Sequence, residues 1–321
     1  MFNIPNIKDS FSIFYSAPYS QKYLYSCYES HGLKEAEKKS YENCYPFIYY
    51  LEHSQNYYNV AHHAPLAIKP MLLFYGMTQL LKACLLTVDF DYPHSTSVLA
   101  HGVSTRKRKK QSYDFLDDEV KIQKYGLFSH ISRVMFHVEQ IEGSKYSMFH
   151  LLSLIPELSS LFEECKKHHT CVQISTKKEN IFQFPISILE HYHVNTERFC
   201  TYLLEKTKLP FQYKQTENKH LIFQLDERIN LNYCSPLMFN FYDKEFFFPL
   251  QREKSDYFPE ILSHYLLLYN LSMISRYETE WWYELLHTYS SNDFSFISKF
   301  LSVSSEKIPF LLYDFLQYKK S

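Results

Sequence analysis

The sequence predicts an α+β fold that is mainly α: a helical core formed from the N- and C-terminal segments, with a small antiparallel β-rich insertion between them. Two observations carry this expectation. Long apolar runs with helical period occur towards both ends, at about residues 70–88 and 259–277. After Thr170 the pattern switches to short aromatic and β-branched runs separated by polar turns. The expected division is a discontinuous helical core of residues 1–169 and 256–321 around an inserted subdomain of residues 170–255. With 321 residues, 45% hydrophobic and 21% charged, the chain is long and apolar enough for one large domain or two ordinary ones.

The elements follow in order. Pro18 opens YSQKYLYSCYESHG, where Tyr19, Tyr23 and Cys27 recur at helical spacing and Gly32 closes the pattern. The next helical segment, LKEAEKKSYENCYPFIYYLEHSQNYY, contains Pro46, which is expected to end or kink it. Pro70 sits in the first turn of the run MLLFYGMTQLLKACLLTV, a favourable place for proline. That helix is apolar on most sides and should be central, with Gly76 admitting a close neighbour. YDFLDDEVKIQKY is a short amphipathic or extended segment ended by Gly126, and residues 146–166 form a helix with a break at Pro156.

In the insertion, CVQIST and IFQFPIS are strand-type runs flanking the turn KKEN, and HLIFQLDE is another. VNTERFCTYLLEK is a short helix with Asn195 or Thr196 as its N-cap. MFNFYDKEFFFPL is a hairpin around Asp243-Lys244-Glu245, and Pro249 marks an edge position or a strand end. Helical period returns in EILSHYLLLYNLSMISRY, which is expected to partner the 70–88 helix. Helices also fit 280–289 and about 293–301, before the terminal KIPFLLYDFLQY.

Composition excludes several chemistries. The five glycines are scattered, so no GxGxxG, GxxxxGK[ST] or GxSxG occurs. Phosphate-cradling loops, dinucleotide folds and typical α/β-hydrolases are disfavoured accordingly. Seven cysteines form no CxxC framework, which suits reduced thiols in a cytoplasmic protein. The N-terminus MFNIPNIKDSF shows no cationic and apolar leader pattern. Gln79 and Lys82 interrupt the longest apolar run, which reads as a core helix and not a membrane span. At a net charge of -1, no global field draws the protein to nucleic acid or membrane. The 29 Tyr and 27 Phe could stack on bases, but lysine-rich, arginine-poor usage points to a composition bias instead.

The candidate site residues are Tyr75, Gln79, Lys82, His101, Arg106, Arg108 and Arg276. Tyr75, Gln79 and Lys82 lie a turn apart on the apolar helix, and buried polar groups there need partners or a pocket. Arg276 and Glu278 are the expected partners. His101-Gly102 precedes the cationic run Arg106-Lys107-Arg108-Lys109-Lys110, a place to meet a phosphate or an anionic surface. Arg276, ahead of Trp281-Trp282, offers a planar fork for the same chemistry. Cys165, His168, His169 and Cys171 are metal-type residues, but their spacings lack the usual separation between ligand pairs. No catalytic set, no metal ligand set and no cofactor site is assembled from spacing.

NCYPFIYYL, LLFYGMTQLLKACLL, HGVSTRKRKK, DDEVKIQKYGLF and LSMISRYETEWW together resemble the YaaC-like proteins of Bacillus and related Firmicutes, over essentially the whole chain. The resemblance implies a bacterial cytosolic protein and no established activity. The family's gene commonly neighbours that of IMP dehydrogenase, which implies a link to purine nucleotides or a purine enzyme. The FYGMTQLLKACLL helix is also similar to the tyrosine-bearing helix of HEPN-type helical domains, some of which are RNases. Their motif places four to six residues between an arginine and the histidine that follows it. Here the nearest pair, Arg133 and His137, has three residues between.

The expectation is therefore a non-catalytic cytoplasmic binding or regulatory protein that recognises a nucleotide or a protein partner. The alternatives are a HEPN-like metal-independent RNase and a structural protein without a ligand.

Overall fold

The computed structural model describes residues 10–105, 114–177, 180–251, 259–289 and 291–318. They form two compact units, which divide at Phe149/His150 and at Ser263/His264. The larger is helical and draws on both ends of the chain. The smaller, His150–Ser263, carries the main sheet. No helix among the described residues is long and apolar enough to cross a membrane.

In chain order the elements are α1 (Ala17–Ser30), α2 (Ala36–His63), α3 (Lys69–Leu86), β1 (Val103–Thr105), β2 (Glu119–Ile122), α4 (Leu127–Val134), β3 (Lys145–Ser147) and α5 (Met148–Ser153). There follow α6 (Ser159–Lys166), β4 (Cys171–Lys177), β5 (Ile181–Pro185), α7 (Ile188–Tyr192), α8 (Thr196–Thr207), β6 (Gln212–Glu217) and β7 (His220–Gln224). The last are β8 (Met238–Asn240), β9 (Glu245–Pro249), α9 (Glu260–Tyr277), α10 (Thr279–Thr288) and α11 (Asp293–Tyr318). A mainly helical fold with a β-rich insertion is what the sequence predicts.

Hydrogen bonds from buried tyrosines join the two ends in the helical unit. Tyr23 of α1 donates to the Leu316 carbonyl of α11 at 2.8 Å, and Tyr28 donates to the Leu86 carbonyl that ends α3 at 2.9 Å. Such bonds fix which helix faces meet, because a buried hydroxyl left unpaired would be costly. Gly76 brings α2 and α3 close: a Cβ there would press on Tyr58 and Tyr57 at 3.1–3.2 Å. Ser54 of α2 uses that proximity to donate to the Gly76 carbonyl at 2.8 Å.

Two expectations need correction. α2 runs unbroken through Pro46, and α11 through Pro309, in place of the separate segments expected there. A proline removes one intrahelical hydrogen bond, which long helices with extensive buried faces sustain. α9 packs on α3 as expected: Phe74 meets Tyr265 and Tyr269 edge to face, at centroid distances of 5.3 and 5.6 Å, and α2 and α11 are further neighbours of α3.

A small antiparallel sheet in the same unit, in the order β1-β2-β3, pairs Val103 with Ile122 and Val120 with Tyr146. In the smaller unit an antiparallel sheet runs β6-β7-β5-β4-β9-β8. Alternate residues Phe182 and Phe184, Leu221 and Phe223, and Phe246 and Phe248 are buried. Phe184 alone meets the rings of Phe199, Phe211, Phe223 and Phe248. Asn195 caps α8 by accepting from Arg198 N–H at 2.9 Å, and Pro249 ends β9. β6 has no apolar alternation and is exposed throughout, as a polar edge strand should be.

Candidate functional site

Helix α3 is buried on nearly all sides. From Pro70 to Leu86 only Met71, Tyr75, Gln79 and Lys82 reach partial exposure. Spacings of four, four and three residues put them in one stripe along the helix. The sequence makes this stripe because its polar residues fall where the core would otherwise close.

Neighbouring elements turn the stripe into a site. Tyr57 of α2 stacks on Tyr75, with centroids 5.8 Å apart and planes at 26°. Lys82 Nζ lies 5.7 Å from the centre of the Tyr50 ring. Gln79 lines an open cavity of about 360 Å³ with Tyr49, Tyr50, Glu52, His53 and Asn56. From α9, Arg276 Nη1 donates to Tyr75 Oη at 3.4 Å and its Nε to the Ser272 carbonyl at 2.9 Å. The guanidinium also lies over Tyr277, 5.3 Å from the ring centre.

His101 is delivered by a loop whose backbone is tightly held. Its carbonyl accepts from Tyr265 Oη at 2.9 Å and from Phe128 N–H at 3.1 Å. Gly102 follows at φ +80° and packs directly against Gly126, at φ +133°, which caps the start of α4. A Cβ on Gly126 would collide with the Gly102 backbone. The imidazole sits among Phe74, Tyr269 and Tyr75, at centroid distances of 5.0, 5.6 and 6.4 Å.

The electrostatics are one-sided. Burial, then Arg276 and Lys82, lower the pKa of His101. Burial lowers that of Lys82 too. Burial raises the pKa of Tyr269, against a lowering by the charge of Arg276. Among the described residues, no carboxylate forms an ion pair with Lys82, His101 or Arg276. Glu278, the expected partner, makes no such pair.

The structure thus brings together Tyr75, Lys82, His101 and Arg276, with Gln79 beside them in the cavity wall. Arg106 and Arg108, with the rest of the cationic run, lie outside the described residues. Arg133 and His137 are both exposed, at the end of α4 and beyond it. Cys165, His168, His169 and Cys171 do not gather into a ligand set among the described residues. His168 instead bonds Gln251 at 2.6 Å. Trp282 is buried and donates to the Ala67 carbonyl at 2.9 Å, so the tryptophan pair anchors α10.

Sequence reasoning missed Tyr57 and Tyr269. A signal for the first was present: Tyr41, Tyr45, Tyr49, His53 and Tyr57 recur every fourth residue along α2. Tyr41, Tyr45 and Tyr49 are exposed, which core packing does not explain.

A sequence model of the family described as YaaC-like protein matches residues 12–316, nearly the whole chain, and the chain belongs to that family. No curated protein and no solved structure matches it.

Proposed function

We propose that this YaaC-like protein is a cytosolic, non-catalytic binding protein whose ligand is a nucleotide. The observation that carries the reading is the half-buried cluster of Lys82, His101 and Arg276 without a carboxylate among them. Cations withdrawn from water oppose folding unless an opposite charge joins them. A phosphate supplies that charge, and the planar fork of Arg276 fits two of its oxygens. The partly exposed rings of Tyr57 and Tyr75 add stacking surface suited to a base. Gln79, in the adjoining cavity, offers an amide to a base edge or a ribose hydroxyl. Among the described residues, no side-chain nucleophile is hydrogen-bonded to an attendant base beside the cluster, and the reading it supports is binding.

Calorimetric titration with purine and pyrimidine nucleotides, and with inorganic phosphate, tests this. A charge-assisted hydrogen bond is worth about 1.5–3 kcal/mol. Arg276→Ala should therefore weaken the best nucleotide by about ten- to a hundredfold, at about 1.4 kcal/mol per decade. No binding by any nucleotide, or equal affinity in the variant, removes the reading. Capture of a purine enzyme such as IMP dehydrogenase, with no nucleotide bound, would assign the same surface to a protein partner.

A further inference from the structure

A second polar cluster in the helical unit lies just beyond the end of α3. Asp89 follows α3 by three residues and is held there by its own N–H, which donates to the Leu85 carbonyl at 2.8 Å. His130, buried in α4, places Nε2 2.7 Å from Asp89 Oδ2. His94, on the loop after α3, is exposed, and its ring centre is 5.2 Å from that of His130. One ligand atom from each of the three residues lies within 4.8 Å of the others.

We infer that Asp89, His94 and His130 form a binding site for a divalent transition metal of the zinc type. Two imidazoles and one carboxylate are the donor set of open metal sites. Ligands about 2.0–2.2 Å from zinc stand roughly 3.3 Å apart in a tetrahedron. The Asp89–His130 pair needs only a slight opening to reach that spacing. His94 is exposed and closes the remaining gap by rotation of its side chain.

A hydrogen-bonded Asp–His pair by itself explains two of these residues and leaves two facts over. One is the approach of His94. The other is Tyr92, whose ring stacks on His130 at 6.0 Å and 23°, while its hydroxyl is buried with no hydrogen-bond partner. That hydroxyl is near enough to Asp89 to feel its charge. A water in the fourth position of a metal held by Asp89, His94 and His130 is a group such a hydroxyl can bond.

The test uses the full chain, stripped with a chelator and titrated with Co²⁺ and then Zn²⁺. The expected result is one Co²⁺ per chain, with the intense visible absorption of a four-coordinate site and without a thiolate charge-transfer band. Zinc should displace it. His94→Ala, an exposed position whose loss leaves the fold intact by circular dichroism, should weaken binding by more than about a hundredfold. Loss of an outer partner of a ligand already reduces affinity roughly 10- to 100-fold. Absence of stoichiometric binding, a thiolate band, or equal affinity in His94→Ala would overturn the assignment.

Discussion

Lys82, His101 and Arg276 gather three bases around aromatic rings with no acid among them, whereas His130, in the same helical unit, meets Asp89 at 2.7 Å. Both clusters are half withdrawn from water, so each must settle its charge locally. The Asp89 cluster does so with its own side chains and would exchange a proton for a metal. The Lys82 cluster has no ion-paired carboxylate among the described residues, the feature on which the proposed anion site rests. Some buried polar groups of the unit do find internal partners, Asn270 donating to Asp118 at 3.1 Å and His264 bonding Ser304 at 2.8 Å, while the hydroxyls of Tyr58 and Tyr92 have none.

Removing the frame common to both clusters should have the largest effect. Gly126→Ala places a Cβ against the Gly102 backbone in a left-handed conformation. It should destabilise the protein by about 4 kcal/mol or more in chemical denaturation. Normal stability in that variant would mean the crossing yields easily and positions neither cluster.

Next in size is Asp89→Asn, which leaves buried His130 without its acid and should lose about 1–3 kcal/mol. The effect has a defined pH window. Burial pushes the Asp89 carboxyl up, but the hydrogen bond and charge of His130, with the Asp91 amide and His94, hold it below its ordinary value of 3.8. Its stabilisation is present above that value and is lost as pH falls through the lower folded pKa. Acid titration of the variant should lack this limb.

Lys82→Met should act in the opposite direction. It removes a desolvated charge from an aromatic surface and should stabilise the ligand-free protein by about 0.5–2 kcal/mol, measured by denaturant unfolding. Nucleotide affinity should fall in the same variant. A Lys82→Met protein less stable than the wild type would show that the cation is already satisfied.

The smallest expected effect is the pH dependence at His101. Its pKa is lowered on folding, so the unfolded chain binds the extra proton first. Stability is full above about 6.5 and declines as pH falls through that value towards the folded pKa, then levels. Nucleotide binding should strengthen over the same descent, because protonated His101 adds a cation to the site. His101→Asn should flatten both profiles. Comparison with the wild type subtracts the titration of the phosphate itself.

Part of this site is legible in the sequence because Tyr75, Gln79 and Lys82 disturb an apolar helix at a helical interval. Arg276 stands out for a related reason, as a guanidinium ending another apolar helix. The Asp89 cluster is not legible. His130 is 41 residues from Asp89 and comes from a short helix with no motif spacing. Similarly, β6 escapes notice because an exposed edge strand need not alternate. Pro46 misleads because burial of α2 against its neighbours outweighs one missing hydrogen bond. The helical core and its β-rich insertion are legible because long apolar periods and short aromatic runs differ at every position.

The Gly102–Gly126 crossing has a consequence for how this sequence can evolve. Ala100 and His101 accept from Leu127 and Phe128 across the crossing, so His101 on one side and the helix bearing His130 on the other are fixed to a single joint. Two of the chain's five glycines are committed there. A lineage that replaced either would shift both clusters in one step. Inheritance of the proposed anion and metal sites is therefore linked, and homologues should keep both glycines or have remodelled both clusters together.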